Sequence, residues 1–238
     1  MTTGSRRLTD TDRALAWQSA SLLLGYPDER LLADLPLVRR LLAEVPQTYA
    51  DQLSRVVQHL ATTPLPESQA AYVDTFDTRR RHNLYLTYFA HGDTRKRGVA
   101  LLRFKQTYLS AGFALDASDS ADGQDAGELP DHLCVVLEFA ATVDQELGTQ
   151  LLLDHRAGLE LLRLALRDTG SPWAGALEAV SATLPPLRGD ERDAVRRLAA
   201  EGPPAEEVGL APYGGPEFDA LLHETTDLPM PALREGAR

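Results

Sequence analysis

The sequence predicts an all-α protein with a single helical domain, and three observations carry this prediction. Apolar positions recur at helical spacing, as in Leu152, His155, Leu159, Leu162 and Leu166, which are alternately three and four residues apart. Alternating patterns typical of strands are scarce. Hydrophobic residues make up 43% of the 238 residues, which is enough to bury a core. We expect His155, which lies on this apolar stripe, to be a hydrogen-bonded core or interface histidine rather than a ligand.

Two further segments show the same helical spacing. They consist of Val99, Leu102, Gln106, Leu109 and Phe113, and of Leu133, Val136, Leu137, Ala140 and Leu147. Residues three and four apart share one face of a helix, so each set predicts one apolar face. We expect both faces to pack into the core.

Ten helices are predicted from this periodicity and from local signals for helix ends. Their ranges are residues 9–24, 28–44, 47–61, 67–77, 81–90, 94–111, 130–147, 150–168, 172–184 and 189–201. Thr9 or Asp10 is a suitable cap for the first helix and Asp93 for the sixth, because their side chains accept hydrogen bonds from free backbone N–H groups. Gly112 favours the end of the sixth helix, and Pro130 suits the first turn of the seventh.

Two segments lack apolar periodicity. Residues 116–127 read DASDSADGQDAG, which is small and acidic, and we predict a flexible linker over 114–128. Residues 202–238 hold six prolines and predict an irregular C-terminal tail. The predicted division is therefore a helical domain over 1–201 followed by this tail.

The composition excludes several kinds of site. Cys134 is the only cysteine, so no disulfide forms within the chain, and one thiolate does not hold a structural zinc or an iron–sulfur cluster. The histidines form no HExxH pair, and we expect neither cofactor nor metal. No apolar run of membrane-spanning length occurs, so we expect no membrane span. The N-terminus has no apolar signal-peptide stretch, so we expect a cytoplasmic location.

Charge is unevenly distributed along the chain. Residues 79–105 contain eight basic residues and one acidic residue, a net charge of +7, which leaves −18 for the remainder of a chain whose net charge is −11. An acidic surface repels nucleic acid and attracts basic peptides. The alternative is a nucleic-acid-binding or regulatory helical protein that uses residues 79–105. Strong binding of random duplex DNA at physiological salt would favour it.

The basic segment contains an unfavourable helix start. Arg95, Lys96 and Arg97 fall in the first turn of the predicted sixth helix, where the helix dipole disfavours cations. An internal ion-pair network or a bound carboxylate or phosphate would offset this cost, and the sequence leaves both open. Gly92 is expected to end the preceding helix with a positive φ. Gly98 is expected to allow close packing of another helix, with close approach of a ligand as the alternative.

Two polar pairs are candidate groove residues. Tyr85 and Tyr88 are either core residues, like the other aromatics of this segment, or groove residues with a solvent-exposed edge, because a phenol combines an apolar ring with a hydroxyl. Asp131 and His132 are predicted in the first turn of the seventh helix, and two interpretations stay open: a helix cap with a surface histidine, or a polar pair at the mouth of a groove that accepts a peptide. An enzyme that uses these two residues with Glu128 as acid–base groups is a further alternative. No nucleophile motif or phosphate loop supports it.

Two stretches of the sequence resemble a known family. The stretch YVDTFDTRRRHNLYLTYFAHGDTRKRGVALLRFKQTYLSAGF, from Tyr72 to Phe113, closely resembles the signature region of the NarJ-type assembly chaperones of respiratory nitrate reductase, also called the delta subunit. ELPDHLCVVLEFAA, which begins at Glu128, resembles the second signature of this family and a motif of the wider TorD/DmsD-like group. The resemblance implies a TorD-like all-α fold and a cytoplasmic chaperone that is not an enzyme.

The resemblance also implies partners and a site. Such chaperones bind the N-terminal segment of the apo catalytic subunit and keep it competent for molybdenum cofactor and iron–sulfur insertion. Cofactor-insertion proteins are further candidate partners, and both monomer and homodimer remain open. The expected client-binding residues are Tyr85, Tyr88, Gly92, Asp93, Arg97, Glu128, Asp131 and His132.

Overall fold

The computed structural model describes residues 8–114 and 129–203. Within these ranges the chain forms α-helices, one 3-10 turn at Arg80–His82, and no β-structure beyond a single two-residue bridge. The helices are α1 (Asp10–Leu23), α2 (Glu29–Glu44), α3 (Gln47–Thr62), α4 (Leu65–Phe76), α5 (Leu86–His91), α6 (Lys96–Ser110), α7 (Leu133–Thr142), α8 (Gln145–Asp154), α9 (Arg156–Asp168), α10 (Ala174–Thr183) and α11 (Gly189–Glu201). The all-α prediction is confirmed.

Local capping chemistry explains several of these boundaries. The Thr9 hydroxyl accepts from the Asp12 N–H at 3.1 Å, and the Asp12 carboxylate accepts from the Thr9 N–H at 2.9 Å, so the two residues form a capping box at α1. At the end of α6, Gly112 has a φ of +74°, and the Phe113 N–H donates to the Tyr108 carbonyl at 2.9 Å. The predicted roles of Thr9 and Gly112 are confirmed.

Other predicted boundaries are wrong. Arg95 rather than Asp93 precedes α6, without a side-chain cap. Pro130 lies ahead of α7, which begins at Leu133. The predicted helix 81–90 is the 3-10 turn followed by the short α5.

The predicted helices 130–147 and 150–168 are replaced by α7, α8 and α9. Asp144 interrupts the first, because its side chain accepts from the Leu147 N–H at 2.9 Å and starts α8. His155 separates α8 from α9 with a φ of −110°. The leucines of the apolar stripe from Leu152 to Leu166 are nevertheless buried as predicted, whereas His155 is half-buried. Periodicity therefore identified the core residues but not the breaks between the helices.

Helix α1 forms the centre of the core. Trp17 is fully buried and donates from Nε1 to the Thr183 hydroxyl at 2.8 Å, which joins α1 to α10. The Ser21 hydroxyl donates to the Cys134 carbonyl at 2.8 Å and joins α1 to α7. Polar groups that satisfy one another in this way fix the register of apolar helices.

The prediction for α6 is wrong about which face is buried. Val99, Leu102 and Leu109 are 61%, 54% and 64% exposed. Phe104 and Tyr108, which lie on the opposite face, are each 1% exposed. The helix carries two apolar faces of the same period, and burial of the aromatic face removes the larger apolar area from water.

Of the predicted linker at 114–128, only Ala114 belongs to the described residues. The predicted tail lies outside the described residues from residue 204 onward. The division of the chain at residue 201 therefore stays a prediction. In the part of the chain that the structure describes, no helix has both the length and the apolar character needed to span a membrane.

Candidate functional site

The two segments that carry the family resemblance meet in space. The Leu133 N–H donates to the Leu84 carbonyl at 2.9 Å, and the Leu86 N–H donates to the Asp131 carbonyl at 3.0 Å. These two bonds form a short antiparallel bridge that leads into both α5 and α7. The start of each helix is thereby held by the other segment.

Asp131 is fully buried at this junction. Its Oδ2 accepts from the Thr87 hydroxyl at 2.5 Å and from the Thr87 N–H at 3.2 Å. The Thr87 hydroxyl in turn accepts from Arg97 Nε at 3.2 Å, and Arg97 Nη2 lies 3.6 Å from the same carboxylate oxygen. Oδ1 of Asp131 has no hydrogen-bond partner among the described residues. The buried carboxylate therefore ties the first turn of α5 to α6.

Arg97 is held from several sides. Its Nη1 lies 3.6 Å from Oδ1 of Asp93, and its guanidinium lies over the Tyr85 ring, 5.2 Å from the centroid. The sequence left open whether the basic start of α6 is offset by ion pairs within the chain or by a bound anion. For Arg97, the structure supports ion pairs within the chain. Its charge partners are Asp93 and Asp131.

The other predicted site residues surround this cluster. His132 is buried, precedes α7, and packs edge-on against the half-buried Tyr85 with ring centroids 5.1 Å apart. Tyr88 is buried against Phe89. Asp131 and His132 were predicted in the first turn of a helix, but both lie before α7 begins. Glu128 lies outside the described residues.

Tyr108 secures the remaining part of the second segment. Its hydroxyl donates to the Pro130 carbonyl at 2.6 Å. Burial raises the pKa of Tyr108, and the nearby Asp131 carboxylate raises it further, so the hydroxyl stays a donor. The loop that carries Asp131 is therefore held from α6 as well as from α5.

The two predicted glycines have different outcomes. Gly92 is buried, has a φ of +57°, and donates from its N–H to the Tyr88 carbonyl at 2.7 Å, so its role as a helix end is confirmed. A Cβ added at Gly98 would meet nothing within 4 Å. The prediction that Gly98 allows another helix of this domain to pack closely is wrong.

An apolar cleft lies beside the cluster, along α5. It has a volume of about 310 Å³ and is bounded by α5, α9 and α11, with Asp154, Arg197 and Glu201 among its polar lining. Its apolar lining includes Leu86 and Phe89 of α5. Sequence reasoning did not predict this cleft, because three helices distant along the chain assemble it.

In the sequence, Gly158 was the residue that could have indicated the close approach of helices beside the cleft. A Cβ at this position would lie 2.7 Å from Cβ of Phe89, so α5 and α9 approach each other through the glycine. A glycine inside an amphipathic helix pattern indicates such a close approach. Thr87, which the sequence analysis also missed, carries no comparable signal.

The described residues contain no group of three or more histidine, cysteine, aspartate or glutamate side chains arranged to hold a metal ion. The polar groups of the cluster are instead used to hold backbone segments and one another. The geometry fits a binding surface whose wall, α5, is set by a buried charge.

Comparison with known proteins places this geometry in a family. The profile described as "Nitrate reductase delta subunit" matches residues 42–179, which include α5, α6, Asp131 and His132. The chain is 43% identical over 169 residues to the nitrate reductase-like protein NarX of Mycobacterium tuberculosis, which covers 71% of this chain and 24% of that relative. The chain thus spans about a quarter of the length of NarX.

Shorter relatives match over more of their length. One is the probable nitrate reductase molybdenum cofactor assembly chaperone NarJ of Bacillus subtilis, 33% identical over 181 residues, or 74% of this chain and 92% of the relative. Another is the nitrate reductase molybdenum cofactor assembly chaperone NarJ of Escherichia coli, 31% identical over 157 residues, or 65% and 63%. The family match spans more than half of the chain and contains the described cluster. The chain therefore belongs to the nitrate reductase delta subunit family, as its two signature segments predicted.

Proposed function

We propose that this chain is a system-specific chaperone of respiratory nitrate reductase. It binds the N-terminal segment of the apo catalytic subunit and keeps that subunit competent for insertion of molybdenum cofactor and iron–sulfur clusters. The names of the NarJ relatives support this function. In this proposal the chain acts by binding, without catalysis and without a cofactor of its own.

The apolar cleft along α5 is the observation that carries the proposal. Its volume of about 310 Å³ is sufficient for one or two apolar anchor side chains of a client helix. Asp154 and Glu201 are exposed at its edge and outnumber Arg197, so the edge attracts a basic segment. Apolar anchors would supply affinity, and the charges would steer the encounter.

The signature residues act in this proposal mainly by positioning α5. Asp131 holds the first turn of α5 through Thr87, and Leu86 and Phe89 of that helix form one wall of the cleft. The proposed site keeps the predicted residues Tyr85, Tyr88, Gly92, Asp93, Arg97, Glu128, Asp131 and His132. Among the described members, Asp93 is the exposed one, so it is available for direct contact with a basic client.

Calorimetric titration tests the function directly. The full chain is titrated with the N-terminal peptide of the nitrate reductase catalytic subunit from the same genome, and with a scrambled peptide of equal charge. Binding of the native peptide alone supports a chaperone that reads sequence. Equal binding of both peptides would mean that the acidic surface merely collects cations. No binding of either would remove the proposed client segment.

The alternative of a nucleic-acid-binding protein requires free cations in residues 79–105, and several of these cations are paired within the chain. Arg79 pairs with Asp74 at 3.1 Å, and Arg81 donates to the Ala199 carbonyl at 3.0 Å. Arg97 is held by Asp93 and Asp131. Three of the cations in residues 79–105 are therefore used within the chain.

A further inference from the structure

The outward face of α6 is an exposed apolar stripe flanked by cations. We name the α6 face as Val99, Leu102 and Leu109 with the flanking Lys96, Gly98, Arg103 and Lys105. The three apolar side chains are each more than half exposed, and none of them lines the cleft along α5. From Val99 to Leu109 the stripe is about 15 Å long at the α-helical rise per residue. Gln106, which is also exposed, lies between Leu102 and Leu109 on this face. Scattered exposed apolar residues are ordinary, but three of them grouped on one helix face indicate an interaction surface.

The flanking cations have no partners in the chain as described. Lys96, Arg103 and Lys105 are exposed, and the described residues place no carboxylate within ion-pair distance of them. The sequence of α6, KRGVALLRFKQTYLS, contains no aspartate or glutamate. The α6 face is therefore apolar along its centre and positive along its sides.

Gly98 adds an independent feature. It is exposed in the first turn of α6, and a Cβ there would meet nothing within 4 Å. Glycine is unfavourable inside a helix, and no contact within the described domain compensates for it. Because Gly98 has no side chain, a second helix can approach the α6 backbone closely at this residue.

We propose that the α6 face binds an acidic amphipathic helix of a partner protein. Leucine-type residues spaced three and seven apart on the partner would pack against Val99, Leu102 and Leu109. Acidic residues on either side of that stripe would pair with Lys96, Arg103 and Lys105. This inference goes beyond the proposed chaperone activity, because it concerns a surface outside the proposed client site.

The positive charge of the α6 face distinguishes its proposed acidic partner from the basic client segment. Residues 79–105 carry +7 and the remainder of the chain carries −18, so an acidic helix is repelled by most of the molecule and attracted to this segment. A basic client segment is disfavoured at the α6 face for the same reason. A second copy of the chain is also disfavoured, because two-fold pairing of two such faces would bring like charges together.

A designed peptide tests this surface. The probe is an acidic amphipathic helix of about five turns, or about 18 residues, with leucines on one face and glutamates flanking them. It is titrated calorimetrically into the full chain, and a scrambled peptide of the same composition serves as its control. The test variant is Leu102→Gln with Leu109→Gln, and the matched control variant is Leu37→Gln with Val73→Gln, which replaces exposed apolar residues of α2 and α4.

Support requires a specific pattern of results. The amphipathic peptide should bind, the test variant should weaken binding at least tenfold, and the control variant should leave it unchanged. Equal binding of the scrambled peptide, equal loss in both variants, or no binding would overturn the proposal. Self-association of the chain that the test variant abolishes would also overturn it, because a second copy would then cover the face. Titration of the catalytic-subunit peptide into the test variant should be unchanged, so failure here is distinguishable from failure of the chaperone function.

Discussion

Thr87 and Asp131, 44 residues apart in the chain, are joined by two hydrogen bonds to one carboxylate oxygen. The Thr87 hydroxyl donates at 2.5 Å and its N–H at 3.2 Å. Because Asp131 is fully buried and Thr87 lies in the first turn of α5, a single charge sets the position of that helix. The wall of the proposed client cleft therefore depends on a residue that does not reach solvent.

Replacement of this carboxylate should destabilise the fold. We expect Asp131→Ala to lower the free energy of unfolding by about 3 kcal/mol, because it leaves the two Thr87 donors without their acceptor and removes the buried one of the two carboxylates that pair with Arg97. Urea denaturation followed by far-UV circular dichroism measures this change. The matched control is Asp93→Ala, which removes the other carboxylate near Arg97.

Asp93 lies at the same 3.6 Å from Arg97, but its side chain is 81% exposed. We expect its removal to change the unfolding free energy by less than about 0.5 kcal/mol. Equal losses in the two variants would contradict the assignment of Asp131 as the buried anchor.

Gly98 should tolerate and even favour a side chain in the isolated protein. We expect Gly98→Ala to raise the unfolding free energy by about 0.5–1 kcal/mol, since alanine restricts the unfolded chain and meets nothing in the folded one. Gly158→Ala is the comparison, because its Cβ would lie 2.7 Å from Cβ of Phe89. That variant should lose about 1–3 kcal/mol. Thermal and urea unfolding check both, and the same sign for both would be inconsistent with the packing described.

His155 should make stability depend on pH. Burial lowers the pKa of His155 below its ordinary value of 6.5, although the Leu151 carbonyl, Asp154 and Asp131 oppose the shift. Below about pH 6.5 the unfolded chain takes up a proton that the folded protein resists, so the unfolding free energy falls as the pH falls toward the lowered pKa. Above about pH 6.5 this contribution is fully present.

The His155→Gln variant isolates this contribution. Glutamine can keep a donor toward the Leu151 carbonyl, which lies 3.0 Å from Nδ1 of His155, and it does not titrate. We expect a shallower fall in stability between pH 7.5 and pH 5 than in the native protein, measured by urea denaturation at each pH. An identical slope in the two proteins would show that His155 does not carry the effect.

Filling the cleft should weaken client binding without unfolding the domain. Ala194 of α11 is half-buried and lines the cleft, and leucine at this position would occupy part of its 310 Å³. We expect Ala194→Leu to raise the Kd for the catalytic-subunit peptide about tenfold, which corresponds to about 1.4 kcal/mol. Calorimetric titration measures it.

Ala33→Leu is the matched control for this experiment. Ala33 is an exposed alanine of α2 and does not line the cleft. Its replacement should leave the Kd unchanged. If both leucine variants bind the peptide like the native chain, the client does not occupy this cleft.

The fold class followed from the sequence because helices are local structures. The spacing of Leu152, Leu159 and Leu166 identified core residues, even though a break at His155 divides the predicted helix. The capping box at Thr9 and the positive φ of Gly112 also depend on residues within one turn. Such interactions can be predicted from neighbouring residues alone.

The tertiary structure decided which of several equivalent local patterns is used. In α6 the faces of Val99 and Phe104 share one period, and the elements that pack against the helix determined that the aromatic face is buried. The sequence placed Asp131 beside His132 at a helix start, but the bonds to Thr87, 44 residues earlier, decided that Asp131 is buried. Sequence periodicity and motifs determined the helices and the family, whereas contacts between distant segments determined the cluster, the cleft and the exposed α6 face. Those contacts depend on how whole faces exclude water together, which no short stretch of sequence encodes.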